Sequence, residues 1–493
     1  MTYQFSEPIN RNIERTYTYA HIKYKYNGDY ESYNPYTYFQ EELERNPFQA
    51  FMELDGFQFK RTLNTLQRYG IPYTPEQKRK AMVYHDVTNL MQKQRSDTVS
   101  MYVENLEKTG IVKLDDAYTL TTEKTIQLAH YMQNLPVYQK TQNIFYERNL
   151  PDEIVNEPEQ YNAIKTILST KISCLIGGAG VGKSYVTAAL INQLKQNGRT
   201  VAILAPTHKA KEALQDKLTS GTVRTIHSFV HKPDECEVIV IDEAGMLSTP
   251  LLHSLLRNYD NQQLIFIGDK NQLPPVEYGR PFELIQERFT TCELTKNKRS
   301  EAPDIIAMGR EILGFKQNAN MRHPNIEVVA TAKEAFARGA QVALTFTNQN
   351  VSEINQQQRI KNGVPSICSH FKIGEQIIAK TNEPGRYFNG QLFEVISYDF
   401  IQNTSNKRII KINNRLELEY NFTYAYGLTV HKSQGSEWDV VAYQPSEQDT
   451  KNIAYVAVTR AKKRLIIIGN GLKDVYPPER KWRQLHEIGR AHV

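Results

Sequence analysis

The stretch ISCLIGGAGVGKS at residues 172–184 decides how the middle of this 493-residue chain folds. Its apolar first half is typical of a buried strand, and the helical pattern SYVTAALINQLKQNG follows at residues 184–198. The spacing G-x-x-x-x-G-K-S places backbone amides and a helix N-terminus around a phosphate group. In such a loop the lysine reaches the β- and γ-phosphates, and the serine binds Mg²⁺. The stretch therefore predicts an ATP site with the loop ligands Gly177, Gly178, Ala179, Gly180, Val181, Gly182, Lys183 and Ser184.

Short apolar runs recur after this loop and alternate with helical patterns. Such runs, bounded by glycine, proline or acidic residues, indicate parallel strands buried on both faces. The sequence therefore predicts an α/β protein with two doubly wound, parallel-sheet domains. The runs are TVAILAPT (200–207), CEVIVIDE (236–243), QLIFIGD (263–269), AQVALTFTN (340–348), DVVAYQP (439–445) and RLIIIGN (464–470).

Polar side chains follow two of these strands at the edge where ligands bind in sheets of this type. Asp242 and Glu243 end the run VIVIDE, and Gln272 follows the run QLIFIGD. One carboxylate can hold Mg²⁺ while its neighbour polarises the attacking water. We therefore expect Asp242 to bind the metal, Glu243 to act on the water, and Gln272 to contact the γ-phosphate or the water. The pair Pro274-Pro275 would stiffen the loop that carries Gln272.

An ordered set of further motifs resembles the superfamily 1 DNA helicases of the RecD-like branch, over about residues 150–470. The resemblance implies two RecA-like domains, ATP and Mg²⁺ as cofactors, and ATP hydrolysis coupled to 5′→3′ movement on single-stranded DNA and to duplex unwinding. The motifs are LPDEIVNEPEQYNAI (150–164), APTHKAKEAL (205–214), TIHSF (225–229), ELTKNKRS (293–300), LTFTNQNVSEIN (344–355), YGLTVHKSQGSEWD (426–439) and YVAVTRAKKRL (455–465).

The same resemblance implies roles for single residues. Gln160 would read the adenine, Glu437 would lie near the ribose, and Arg299 and Arg460 would join Lys183 around the γ-phosphate. Three cations around the phosphate fit a reaction that depends on positioning and charge neutralisation. The residues implied to contact DNA are Pro206, Thr207, His227, Phe346, Thr347, Asn348, Thr429 and His431.

Five segments are predicted along the chain. Residues 1–82 form an accessory region of unknown fold, and residues 83–150 a winged-helix-like segment. Within that segment the pattern predicts two helices, a short strand, a turn, a strand and a helix, with Ile111 and Val112 at the entry to the wing. Residues 151–300 form the first RecA-like domain, and residues 301–493 form the second. Within the second, alternating strands around Asn389-Gly390 predict a β insertion at residues 365–425. The resemblance implies an SH3-like insertion that surrounds the translocating strand, and an inert insertion is the alternative.

The N-terminal 150 residues leave several readings open. The stretch TYTYAHIKYKY (16–26) predicts a strand whose tyrosines either stack on bases or face a half-buried sheet. A winged-helix-like segment can bind either protein or DNA. In related helicases a β-hairpin that splits the duplex often precedes the DE strand, but only HKPDECE (231–237) is available here. We therefore expect one of three arrangements: a pin reduced to a tight turn, strand separation by residues 1–150, or weak unwinding without a partner.

The net charge and its distribution bear on which binding partners the chain can have. The net charge is +6, and residues 1–150 contribute nothing to it because they hold 18 basic and 18 acidic side chains. A mild positive excess in the remainder fits either a polyanion partner such as nucleic acid or an ordinary solvated surface. The resemblance implies single-stranded DNA and single-strand/duplex junctions as partners, and replication or recombination proteins are expected to dock on residues 1–150. An RNA or nucleoprotein-remodelling helicase and a replication or recombination adaptor with a regulatory ATPase are the alternatives.

The expected location is the cytoplasm of a bacterium or of a phage-infected cell. No run approaches the roughly 18 apolar residues of a membrane span, and the start of the chain lacks a signal-peptide pattern. The four cysteines form no CxxC pair, which favours a reducing compartment. Replication, recombination and repair all remain open as pathways.

Overall fold

Helices open the N-terminal part of the chain. A computed structural model describes residues 3, 5–16, 34–52, 54, 59–94, 96–101, 106, 111–114, 119–137, 139–218, 221–257, 259–298, 301–315, 323–361, 371–383, 385–397 and 399–469. Phe39 and Phe51 meet edge to face, with ring centroids 5.3 Å apart, in the apolar core of this region. The stretch predicted as a strand, residues 16–26, lies outside the described residues except for Thr16, which ends α1. The helices are α1 (Glu7–Thr16), α2 (Pro35–Arg45), α3 (Pro47–Met52), α4 (Phe59–Arg68) and α5 (Pro75–Gln94).

A small antiparallel sheet and one helix follow. Its strand order is β1-β3-β2, and Thr122 caps the following helix by accepting a hydrogen bond from the Thr125 amide. Ile111 and Val112 lie in β2, where the sequence predicts the entry to a wing. Val99 and Ser100 are paired in a short strand, although the pattern favours a second helix after α5. The elements are β1 (Val99–Ser100), β2 (Ile111–Lys113), β3 (Thr119–Thr122) and α6 (Glu123–Asn134).

The first parallel sheet has six strands in the order β6-β5-β7-β8-β4-β9, which confirms the predicted doubly wound topology. Alternate residues of β4 enter different apolar clusters, Cys174 on one face and Leu175 on the other. The sheet is thus covered on both sides. The elements are α7 (Asp152–Val155), α8 (Pro158–Leu168), β4 (Ile172–Gly177), α9 (Lys183–Gln196), β5 (Val201–Ala205), α10 (His208–Gln215), β6 (Val223–Thr225), α11 (Ile226–His231), β7 (Val238–Ile241), α12 (Thr249–Leu256), β8 (Gln263–Gly268), α13 (Pro281–Arg288) and β9 (Thr290–Leu294).

The second parallel sheet has five strands in the order β10-β19-β18-β11-β17, and it confirms the second α/β domain. Arg460 is the single residue between the helix α19 and the strand β19. The elements from residue 303 onward are α14 (Pro303–Ile312), β10 (Ile326–Val329), α15 (Ala332–Ala337), β11 (Val342–Thr345), α16 (Asn348–Lys361), β12 (Gln376–Ala379), β13 (Leu392–Val395), β14 (Phe400–Asn403), β15 (Ile409–Lys411), α17 (Arg415–Asn421), β16 (Phe422–Tyr424), β17 (Gly427–Thr429), α18 (Val430–Ser433), β18 (Trp438–Tyr443), α19 (Lys451–Thr459) and β19 (Ala461–Ile468).

An antiparallel sheet of the order β15-β14-β13-β12-β16 interrupts the second domain between α16 and β17. Tyr387, Phe393 and Phe422 are fully buried in its core. Gly390 has a φ of +89°, which suits glycine in the turn before β13. This sheet lies within the predicted insertion, whose SH3-like assignment remains a prediction.

No helix in the described part of the chain combines the length and the apolar character that a bilayer span requires. The described residues 232–237 join α11 to β7 without a strand, which agrees with the short connection read from HKPDECE.

Candidate nucleotide and nucleic-acid site

The phosphate loop follows β4 and turns into α9. Gly182 has a φ of +88°, and a Cβ atom there would lie 2.7 Å from the side-chain nitrogen of Gln160. A Cβ on Gly177 would lie 2.8 Å from the Leu294 carbonyl oxygen. Glycine suits both positions, because Gly182 has a left-handed backbone and a side chain on Gly177 would meet the Leu294 backbone. The loop geometry therefore explains the glycines that the sequence motif contains.

Lys183 and Ser184 begin α9 at the mouth of a cleft. The Lys183 ammonium donates to the carbonyl oxygens of Gly177 (2.6 Å) and Gly178 (2.8 Å). Lys217 donates to the Ser184 hydroxyl at 3.1 Å. The cleft has a volume of about 800 Å³, and Lys183, Ser184 and Lys217 all line it. Two cations and a hydroxyl thus meet at the helix N-terminus, which itself favours an anion.

Asp242 and Glu243 follow β7 and line the same cleft. Burial of the Asp242 carboxylate and the adjacent charge of Glu243 raise the pKa of Asp242 to about 7, although Lys183 and Lys217 act against this rise. Glu243 adopts a left-handed φ of +51°, which is uncommon for a residue with a side chain. A crowded carboxylate pair in a strained turn is typical of a functional site.

Gln272 lies in the loop after β8, and this loop contacts three parts of the molecule. We call residues 269–279 the β8 loop. Gln272 lines the nucleotide cleft, whereas Leu273 enters the apolar core of the second domain. Tyr278 enters the core of the small N-terminal sheet, and its hydroxyl lies 3.0 Å from that of Thr122. The β8 loop therefore joins the cleft, the second domain and the N-terminal region.

Two helices strengthen the contact with the N-terminal region. Thr249 on α12 donates to Asp97 at 2.6 Å. His253, one turn later, lies 2.8 Å from the Gln127 side-chain oxygen of α6. Gln92 of α5 also donates to the Val276 carbonyl of the β8 loop. These polar contacts surround an apolar core and fix α5 and α6 against the first domain.

Arg460 and Glu437 reach the cleft from the second domain. The Arg460 guanidinium donates to the carbonyl oxygens of Val456 (3.2 Å) and Ser436 (3.3 Å) and is mostly buried. Glu437 lies at the exposed rim of the cleft. Both therefore line the same cleft as the phosphate loop, and their predicted roles at the ribose and at the γ-phosphate remain predictions. Arg299 lies outside the described residues, so its predicted role remains a prediction.

Gln160 is positioned differently from the cleft residues. Its buried side chain donates to the Val181 carbonyl oxygen at 3.3 Å. Gln160 therefore contacts the phosphate loop but does not line the cleft. Two residues of the loop itself, Gly177 and Val181, do not line the cleft either.

Lys209 is a cleft residue that sequence reasoning missed. It lies on α10 and donates to the Lys432 carbonyl of α18 at 2.7 Å, with its ammonium 5.7 Å from the Trp438 ring. Burial and the nearby charge of Arg460 lower the pKa of Lys209 to about 7. A lysine in a helical pattern gives no sign of such a contact, because its partners are more than 200 residues away.

The residues implied to contact DNA lie on both α/β domains. Thr207 and Thr429 cap α10 and α18 through their hydroxyls, accepting from the Ala210 amide (3.1 Å) and the Lys432 amide (3.3 Å). The rings of Phe346 and His431 lie 6.2 Å apart, so the structure brings these two together. Of the remaining candidates, Asn348 and His227 are exposed, Thr347 is half-buried and Pro206 is buried.

The β insertion also contacts the first domain. His208 of α10 stacks on Phe388, with ring centroids 3.7 Å apart and planes within 7°. Gln391 donates to Glu212 on the same helix. Next to this contact a smaller cleft of about 190 Å³ carries the basic side chains of Lys211, Arg386 and Arg408.

Comparisons with known proteins confirm the resemblance to the RecD-like superfamily 1 helicases. Residues 156–344 match the family described as AAA domain, and residues 424–468 match the UvrD-like helicase C-terminal domain. The chain is 27% identical over 353 residues to the ATP-dependent RecD2 DNA helicase of Deinococcus radiodurans, covering 63% of this chain and 49% of that protein. It is 29% identical over 292 residues to the ATP-dependent DNA helicase dda of Enterobacteria phage T4, covering 48% of this chain and 65% of that protein.

A third relative is the RecBCD enzyme subunit RecD of Mycolicibacterium smegmatis. It is 25% identical over 394 residues, covering 63% of this chain and 70% of that protein. The chain thus spans about half of the RecD2 relative and just under two thirds of the Dda relative.

Proposed function

We propose that this chain is an ATP- and Mg²⁺-dependent DNA helicase that moves on single-stranded DNA in the 5′→3′ direction and separates duplex strands. The observation that carries the proposal is the shared cleft, which Lys183 and Gln272 line from the first domain and Arg460 from the second. A site divided between two domains changes when the domains move, so hydrolysis can drive stepwise movement. The names of the RecD2 and Dda relatives support DNA as the substrate.

In this proposal each cleft residue has one task. Lys183 and Arg460 neutralise the charge that develops on the phosphates, and Gln272 orients the γ-phosphate or the water. Glu243 accepts a hydrogen bond from the attacking water and directs it in line with the γ-phosphate. Gln160 is proposed to recognise the adenine base and Glu437 to lie near the ribose. Arg299 is proposed to reach the γ-phosphate.

Mg²⁺ fits the donor set of the cleft. The Ser184 hydroxyl and the Asp242 carboxylate are the hard oxygen ligands that this ion prefers, and it is usually held by one or two such groups plus phosphate oxygens. Burial and the adjacent charge of Glu243 raise the pKa of Asp242, and a bound cation would counteract both effects. When bound, Mg²⁺ supplies charge neutralisation at the phosphate oxygens.

The proposed DNA path runs over Thr207 and His227 of the first domain and Phe346, Thr429 and His431 of the second. The β insertion, stacked against α10 through Phe388, would confine the strand on the outer side. Because residues 232–237 form no hairpin, we propose weak unwinding unless residues 1–150 or a partner protein separates the strands. Relatives from a bacterium and from a phage support action in the cytoplasm of bacterial or phage-infected cells, in replication, recombination or repair.

Two measurements on the full chain test the proposal. The first is the ATPase rate without nucleic acid, with a single-stranded DNA oligomer and with the matching RNA oligomer; stimulation by DNA is expected, and stimulation by RNA alone would make the chain an RNA helicase. The second is unwinding of two duplexes that differ only in carrying a 5′ or a 3′ tail. Preference for the 3′ tail would overturn the proposed direction, and loss of stimulation by both nucleic acids would overturn the function.

A replication or recombination adaptor with a regulatory ATPase is the second candidate, and the docked N-terminal region favours it. The small N-terminal sheet is fixed to the first domain through Tyr278 and Asp97, so a protein bound there could act on the ATP cleft. A nucleic-acid-independent ATPase that a protein partner stimulates would favour this candidate.

A further inference from the structure

One tyrosine hydroxyl joins the second domain to two nucleotide-facing loops of the first. Tyr455 lies on α19, and its side chain is 3% exposed. The Ala179 amide of the phosphate loop donates to the Tyr455 hydroxyl at 2.8 Å. The same hydroxyl donates to the Asp269 carboxylate at 2.8 Å, at the start of the β8 loop.

The direction of these two hydrogen bonds is fixed by chemistry. An amide N–H can only donate and a carboxylate can only accept, so the phenol must accept from Ala179 and donate to Asp269. Burial and the charge of Asp269 raise the pKa of Tyr455, which keeps the proton on the phenol. The hydroxyl therefore acts as a fixed bridge between the two loops.

The surrounding packing holds the ring in place. A Cβ on Gly309 of α14 would lie 3.3 Å from one edge carbon of the ring, and a Cβ on Gly178 would lie 3.1 Å from the hydroxyl. Both glycines thus allow a close approach that a larger residue would disturb. The ring is packed between α14 on its own domain and the phosphate loop on the other.

The same helix carries two further cleft contacts. Asn452, one turn before Tyr455, donates to the Asn271 carbonyl of the β8 loop at 2.8 Å. Arg460 follows the helix and lines the cleft. The distance of Arg460 from the phosphate loop is thus set by a helix that Tyr455 and Asn452 attach to the first domain.

We propose that Tyr455 is a positioning residue that attaches α19 to the phosphate loop and to the β8 loop, so that Arg460 is held at the γ-phosphate when the domains close. The inference rests on the proposed function and adds a device that couples domain closure to catalysis. Tyr455 touches neither ATP nor DNA in this role. It acts through Ala179, Asp269 and Arg460.

The test compares Tyr455→Phe with Tyr443→Phe in the full chain. Tyr443 is an equally buried tyrosine whose hydroxyl donates to Asp449 within the second domain, so its variant loses a carboxylate hydrogen bond without changing the domain contact. For Tyr455→Phe we expect the kcat of the DNA-stimulated ATPase to fall about tenfold, the size that one or two buried hydrogen bonds give. KM for ATP should change by less than about threefold, because the phenol does not bind the nucleotide.

Amide hydrogen exchange provides a readout that does not depend on activity. Tyr455→Phe should raise exchange in a peptide that covers the phosphate loop, and Tyr443→Phe should not. A second variant, Asp269→Asn, keeps an acceptor for the phenol and should shift kcat and exchange in the same direction by a smaller factor. The inference is overturned if Tyr455→Phe matches Tyr443→Phe in kcat, or if loop exchange stays at the wild-type level. Absence of DNA stimulation in the wild-type chain would instead overturn the proposed function.

Discussion

The phosphate loop and the β8 loop lie at the same edge of one sheet, since β4 and β8 are paired neighbours. Lys183 of the phosphate loop differs from the β8 loop in the range of its contacts, although Ala179 of the same phosphate loop reaches Tyr455. Lys183 donates to carbonyl oxygens five and six residues away, and Gly182 is the N-terminal cap of the adjoining helix. The β8 loop instead contacts Asn452 and Thr122, each more than 150 residues away. A local motif thus encodes the chemistry of this cleft, whereas long-range contacts connect the cleft to the rest of the molecule.

The largest effect is expected in the phosphate loop. Lys183→Ala removes the cation nearest to the phosphates, and kcat for ATP hydrolysis should fall by a factor on the order of 1,000. Phosphate release assays measure this. Lys165→Ala is the matched control, because Lys165 is exposed on α8 outside the cleft. If Lys183→Ala hydrolysed ATP at near the wild-type rate, the phosphate loop would not be the site of ATP hydrolysis.

The next largest effect tests the contact between the β8 loop and the second domain. Leu273 is 1% exposed, and its truncation to alanine should lower the free energy of unfolding by about 2–5 kcal/mol. DNA stimulation of the ATPase should fall as well, since the loop loses its apolar attachment. Urea denaturation and ATPase assays measure the two effects.

Val276→Ala is the control for Leu273→Ala in the same loop. Val276 is 73% exposed, so its truncation should change the free energy of unfolding by less than about 0.5 kcal/mol. If both variants keep wild-type DNA stimulation, the β8 loop does not connect the domains in the way that its contacts suggest.

A smaller effect is expected where the β8 loop contacts the N-terminal region of the chain. Tyr278→Phe removes the hydroxyl near Thr122 and should cost about 0.5–1.5 kcal/mol in the free energy of unfolding. Hydrogen exchange should rise in peptides from residues 119–134 but not in the phosphate loop. Tyr420→Phe is the control, because Tyr420 is a 73% exposed tyrosine of the β insertion. Increased exchange in the phosphate loop as well would mean that the contact between Tyr278 and Thr122 also stabilises the phosphate loop, against this expectation.

The smallest effect concerns pH. Burial, together with the charges of Lys124 on α6 and of Arg257 at the C-terminal cap of α12, lowers the pKa of His253 to about 4. Between about pH 6.5 and pH 4 the unfolded chain therefore binds more protons than the folded chain, and stability falls as the pH is lowered through this window. The loss at about pH 6 should be on the order of 1 kcal/mol. In His253→Gln, which cannot titrate, the melting temperature should depend less on pH, and an unchanged pH dependence would contradict the assignment.

Sequence reasoning predicted the two parallel sheets and the convergence of Lys183, Asp242, Glu243, Gln272 and Arg460, because strand runs and loop motifs depend on consecutive residues. It also predicted strands at Ile111 and in the β insertion. It did not predict the strand at Val99, where a pairing partner outweighs the helical pattern.

Other residues were beyond sequence reasoning for a physical reason. Lys209, Tyr278 and Tyr455 carry ordinary side chains in ordinary patterns, and their importance comes from partners far away in the chain. The predicted roles of Gln160, Glu437 and the DNA-contacting residues remain predictions, since their positions alone do not assign a ligand.

The junction between α19 and β19 restricts how this protein can vary in evolution. With Arg460 as the single residue between helix and strand, an inserted or deleted residue would shift the pairing of β19 with β18 by one position. Leu465 and Ile466 enter different apolar clusters on opposite faces of the sheet, so such a shift would exchange the two faces. Length changes should therefore be absent from this junction in homologous chains.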